Sequence, residues 1–192
     1  RQYGKTTILQ ALDAFLKADY VVINIDFQML SASKFRNENA FSIAFAKKFL
    51  KTAESNKALD SSVLSQLKTA LKENREELEL PELFEYLSDF CASSPYPVVL
   101  LIDEVDSAAN NQVFLDFLAQ LRGYYIGRTT VPTFQSVILA GVYDIKNIRR
   151  KLSPHGGHKM NSPWNIAADF LIDMSFSPQD IAGMLDEYES DY

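Results

Sequence analysis

The 192-residue chain is 47% hydrophobic and 23% charged, with 13 Phe and 9 Tyr, an ordinary globular composition that suits one well-filled core and the start of a second unit. Seven Gly and seven Pro exclude a fibrous or disordered chain, and a net charge of −6 argues against a surface that binds nucleic acid through phosphate neutralisation alone, though a local basic patch stays open. The single cysteine, Cys91, excludes an internal disulfide and suits a reducing cytosol, and no apolar run approaches the ~20 residues that span a bilayer, so a cytoplasmic protein with no membrane partner is expected.

From Lys5 to about Lys17 the chain reads as a helix, with Ile8, Leu9, Leu12 and Phe15 on one face. Residues 20–27 (YVVINIDF) form a short apolar, β-branched run, the mark of a buried strand. A polar stretch continues through Asn39, after which Phe41, Phe45 and Phe49 recur at helical spacing. A second helix is expected over about 60–78, buried through Val63, Leu64, Leu67 and Leu71, with a solvated face of Lys68, Lys72, Glu73, Arg75, Glu76 and Glu77. Pro81 opens a third helix, buried through Leu83, Phe84, Leu87 and Phe90 and ended by Ser93, Ser94, Pro95 and Pro97.

Residues 98–102 (VVLLI) are continuously apolar and run straight into Asp103 and Glu104, as in a parallel sheet covered on both faces. A helix follows with Val113, Phe114, Phe117, Leu118 and Leu121 inward, then a further buried strand over 134–142 (FQSVILAGV). A basic segment (Lys146, Arg149, Arg150, Lys151) and a Gly/His/Pro loop lead to a last short strand at 170–174. Ser177-Pro178-Gln179-Asp180 is a helix start, with Ser as cap, Pro at the first position and Asp closing a capping box. Four strands alternating with helices predict an α/β domain with a mainly parallel sheet.

Gly4-Lys5-Thr6-Thr7 opens the first helix. In a phosphate loop the Gly lets successive backbone N–H groups face the phosphates, the helix N-terminus adds partial positive charge, the Lys reaches the β- and γ-phosphates, and the next hydroxyl binds Mg²⁺. Thr6 holds that hydroxyl position. The first Gly of the full G-x-x-x-x-G-K-[ST] pattern would lie upstream of Arg1, and the visible part alone also fits a Gly-bearing turn before an ordinary helix. The second signal is the acid pair after the 98–102 run: Asp103 suits the metal, and Glu104 suits polarisation of an attacking water. A solvated acidic turn is the simpler alternative for that pair taken by itself.

Together RQYGKTT (1–7), LLIDEVD (100–106), SVILAGVYDIKN (136–147) and NSPWNIAADF (161–170) resemble a family of predicted bacterial AAA-like P-loop ATPases, over nearly the whole chain. The resemblance implies a three-layer α/β/α sandwich with sheet order 5-1-4-3-2, whose first strand is missing from this chain; the four strands seen would be its second to fifth. It implies ATP and Mg²⁺ as ligands, with Gly4, Lys5, Thr6 and Thr7 at the phosphates, Thr6 and Asp103 at the metal and Glu104 as the catalytic residue. Residues 1–176 would be the nucleotide-binding core and 177–192 the start of a C-terminal helical lid. The chain is therefore expected to be part of a longer protein and to bind ATP poorly as a fragment, and related sequences replace the loop's first Gly.

Weaker signals stand beside simpler explanations. Tyr143 or Asp144 sits where such ATPases carry a polar sensor, but Asp144 equally suits a helix cap. Arg149 and Arg150 are candidates for an arginine finger in a homo-oligomer, and more simply a solvated basic turn; Arg122 and Arg128 suit a helix end. His155 and His158, without cysteine partners, are poor evidence for zinc, and Trp164 suits packing better than ligand stacking.

The leading expectation is an ATP-hydrolysing switch or motor module acting on an unidentified protein partner. A nucleotide-binding sensor or scaffold with little turnover is the alternative. A nucleotide kinase or GTPase is disfavoured, because no guanine-reading Asn-Lys-x-Asp motif is present.

Overall fold

Among the described residues three short strands make a parallel sheet in the order β1-β2-β3: β1 is Val21–Asp26, β2 is Val98–Asp103 and β3 is Ser136–Leu139. The structure, a computed structural model, describes residues 4–56, 59, 62, 64–73, 78–141 and 177–191. Strand β2 is central and buried along its whole length, as an apolar run without polar alternation requires. Its register sets Val21 opposite Val98 and Asp26 opposite Asp103 on one side, and Val99 opposite Ser136 on the other.

The pleat divides the core in two. Val21, Ile23 and Ile25 of β1 and Val98, Leu100 and Ile102 of β2 point into a large cluster, and Val22, Val99 and Leu101 point to the opposite face. Four helices supply the large cluster: α2 (Glu38–Ser55), α3 (Ser65–Glu73), α4 (Leu80–Ser93) and α5 (Gln112–Ile126). Its centre is aromatic. Phe117 of α5 lies 4.9 Å from Phe45, 5.2 Å from Phe41 and 5.4 Å from Phe84 between ring centroids, at tilted or edge-on angles that suit the ring quadrupoles. The other face is covered by α1 (Lys5–Leu16), whose Leu12 and Leu16 pack on the smaller cluster with Tyr20 and Ile138. Helices thus lie on both faces of a parallel sheet, the α/β arrangement expected.

Helix starts follow local chemistry. Asn37 caps α2 by accepting Ala40 N–H at 2.8 Å. At α6 (Pro178–Asp191) the capping box forms as the spacing predicts: Asp180 N–H donates to Ser177 Oγ at 3.1 Å, and Ser177 N–H and Oγ donate to the Asp180 carboxylate at 2.8 and 2.6 Å. Those two donors hold the Asp180 pKa below its ordinary value. At the end of α5, Arg128 donates to Tyr125 O at 2.8 Å and lies over the Tyr125 ring, so it suits the helix end as expected.

Three expectations need correction. The helix expected over about 60–78 is α3, Ser65–Glu73 among the described residues, and Leu78 is buried outside any helix, two residues before α4 begins. That segment is tied to the first turn of α2, by Asn39 Nδ2 to Leu78 O and Leu80 N–H to the Glu38 carboxylate, both 3.4 Å. In α1 the inward face is Leu9, Leu12 and Leu16; Ile8 is 40% and Phe15 78% exposed, because the sheet meets the other side of the helix. Strand β3 is shorter than 134–142 and only half-buried, because among the described residues it has a neighbour on one side alone. The strand expected at 170–174 lies outside the described residues.

Candidate functional site

Of the candidate loop residues and the acid pair, Thr6 and Asp103 are in direct contact, where α1 begins and β2 ends. Gly4 precedes α1 in the left-handed region, at φ 66° and ψ 17°. A side chain there would meet nothing within 4 Å, so the need for glycine is conformational and not steric. The first backbone bond of α1 runs from Ile8 N–H to Gly4 O at 2.9 Å, and among the described residues no side chain caps the helix. The amides of the first turn, including those of Lys5, Thr6 and Thr7, are the donors that any helix leaves without an intrahelical acceptor. Their partial positive charge favours an anion.

Thr6 Oγ1 donates to Asp103 Oδ2 at 2.9 Å, across 97 positions of sequence. Asp103 is 7% exposed, one of few buried polar side chains among the described residues. Its other oxygen, Oδ1, accepts Glu104 N–H at 2.8 Å. Both carboxylate oxygens are thereby satisfied, as burial demands. Lys5 is half-buried and makes no ion pair among the described residues. Thr7 is exposed on the same first turn.

Glu104 has left-handed backbone angles, φ 54° and ψ 40°, where an L-residue with a Cβ costs about 1–2 kcal/mol. The cause is visible in the ladder. Ala140 N–H donates to Ile102 O at 2.8 Å, and Ala140 O accepts Val105 N–H at 3.1 Å. Two residues, Asp103 and Glu104, lie between those anchors, one more than a regular parallel ladder places there, which makes a β-bulge. The Glu104 amide, turned out of the ladder, finds the Asp103 carboxylate instead. Glu104 O then accepts Ser107 N–H at 3.1 Å and Ser107 Oγ at 2.9 Å, which starts a 3₁₀ turn over Val105–Ser107.

The bulge and its Ala140 anchors were not read from the sequence. The available signal was Gly141 inside an apolar strand run, a common mark of a bulge or a close backbone approach. Asp26 lies opposite Asp103 in register; its carboxylate accepts Gln28 N–H at 2.8 Å and caps its own turn.

The donor set is hard oxygen: a hydroxyl and a carboxylate from distant parts of the chain. No group of three or more His, Cys, Asp or Glu that could hold a metal occurs among the described residues. Tyr143, Asp144, Arg149, Arg150, His155, His158 and Trp164 lie outside the described residues. Among the described residues no helix is long and apolar enough to cross a membrane. Comparisons of the chain with known protein families, with curated proteins and with solved structures find no match.

Proposed function

We propose that this chain is the nucleotide-binding core of a P-loop ATPase of the AAA-like type, with ATP bound where α1 begins and β2 ends. The observation that carries the reading is the Thr6–Asp103 hydrogen bond. A Thr after Gly-Lys at a helix start and an Asp at the end of a buried parallel strand are the two residues such a site must bring together. The order β1-β2-β3 also agrees with the run 2-3-4 of the 5-1-4-3-2 sheet that the sequence resemblance implies.

The roles follow from chemistry. The α1 amides and Lys5 would receive the β- and γ-phosphates. Thr6 gives its single proton to Asp103, which leaves the hydroxyl lone pairs for another partner. Thr6 and Asp103 are thus the pair that would hold Mg²⁺, an ion that binds through few protein oxygens and keeps several waters. When bound, it supplies neutralisation of the phosphate charge. Glu104, the next residue, is the carboxylate that would orient the water attacking the γ-phosphorus, with ADP as the leaving group. The protein would use this cycle as a switch or motor toward a protein partner.

The test is ATP binding and turnover by the intact protein beside its Lys5→Ala and Glu104→Gln variants. Lys5→Ala is expected to weaken ATP binding by about tenfold or more, equivalent to ~1.4 kcal/mol. Glu104→Gln is expected to keep binding and lose turnover. Wild-type binding without turnover would assign the site to a sensor or scaffold, and wild-type protein that binds no ATP would remove the proposal.

A further inference from the structure

We infer that Gly141 is a positioning residue for Glu104: the absence of a side chain at 141 lets the end of β3 clasp the bulge that carries the acid pair. The inference rests on the ATPase reading above.

Ala140 holds both ends of the bulge, through Ile102 O and Val105 N–H, and Gly141 is the next residue. A Cβ at 141 would fall 2.8 Å from Val105 Cγ2 and 2.9 Å from Asp106 Oδ2. Real Cβ atoms do not approach so closely, so something would have to move. Val105 is 1% exposed and β-branched, so its χ1 is restricted and its methyl groups lie within packed surroundings. The Asp106 carboxylate is the second near neighbour and ends a rotatable side chain, unlike the Val105 methyl. A side chain at 141 would therefore push Val105 away from β3 and break its bond to Ala140 O. That bond is what keeps Glu104 in its left-handed conformation, so the carboxylate after Asp103 would lose its fixed place. Asp103 itself stays anchored in β2, in register with Asp26 and bonded to Thr6. The damage should fall on turnover and spare nucleotide binding.

This glycine differs from Gly4. Gly4 is needed for its backbone angles and Gly141 for space, since Gly4 is the glycine with positive φ among the described residues.

The experiment compares kcat and ATP affinity of the intact wild-type protein, Gly141→Ala and the double variant Gly141→Ala/Val105→Ala. Gly141→Ala is expected to lower kcat by roughly 10- to 100-fold, the scale of a misplaced catalytic group, with ATP affinity within about threefold of wild type. The double variant removes Cγ2 and should regain most of the turnover. Wild-type turnover together with undiminished turnover in Gly141→Ala would overturn the inference and leave the ATPase reading standing. Equal loss of binding and turnover in Gly141→Ala, or a double variant that regains nothing, would also overturn it. If Gly141→Ala does not fold, the double variant decides: folded and active supports the inference, unfolded or inactive overturns it. Wild-type protein without Mg²⁺-dependent turnover would remove the ATPase reading, and the inference with it.

Discussion

Thr6 and Asp103, 97 positions apart, are joined by a 2.9 Å hydrogen bond between the first turn of α1 and the last residue of β2. This contact ties the helix that the candidate loop leads into to the central strand. It is also a stability element independent of any ligand. Thr6→Val keeps the shape and removes the donor, leaving Asp103 Oδ2 buried without it. A loss of about 1–3 kcal/mol in urea denaturation is expected, and Thr6→Ser should restore most of it. Equal stability of Thr6→Val and wild type would mean that the bond is not formed in solution.

Ser42 gives a prediction of opposite sign. It is fully buried on α2 and its hydroxyl has no hydrogen-bond partner among the described residues. An unsatisfied buried hydroxyl costs on the order of 1 kcal/mol or more, and Ala keeps the helix propensity. Ser42→Ala should therefore raise the unfolding free energy by about 1 kcal/mol. A loss of that size on denaturation would show that the hydroxyl is satisfied in solution.

Cys91, half-buried on α4, has its thiol pKa pushed by burial from the ordinary 9.0 up to about 12. Two outcomes are expected. The folded protein should resist a thiol reagent at pH 8 and react on unfolding, since the thiolate is the nucleophile. Because the folded pKa is raised, the folded state binds the proton more tightly. The associated stability is fully present below pH 9.0 and is lost as pH rises toward about 12. A Cys91→Ala variant should show a shallower loss of stability over that window. Rapid modification of the native protein at pH 8 would contradict the burial of this thiol.

Much of the fold was legible because local pattern and tertiary outcome agree. The apolar run at 98–102 requires cover on both faces, and β2 has it; Ser177 and Asp180 stand at capping-box spacing, and the box forms. What was misread depended on neighbours. Ile8, Leu9, Leu12 and Phe15 lie on adjacent faces of α1, and helical spacing alone does not say which face meets the sheet. The 134–142 run reads as buried, but the burial of a strand depends on what lies on both its edges. Thr6 and Asp103 could be paired only through the chemistry they would share. The left-handed turn at Glu104 has no signature in Asp-Glu itself; its cause is the register with Ala140, a contact between strands.

The central claim is that Thr6 and Asp103 hold the metal of a bound nucleotide, and ATP affinity measured calorimetrically with Mg²⁺ and with a chelator tests it most directly. Wild-type protein should bind ATP at least about tenfold more tightly with Mg²⁺, a difference of ~1.4 kcal/mol, and Asp103→Asn should bind equally weakly in both conditions. Wild-type affinity indifferent to Mg²⁺, or an undiminished Mg²⁺ response in Asp103→Asn, would contradict the account.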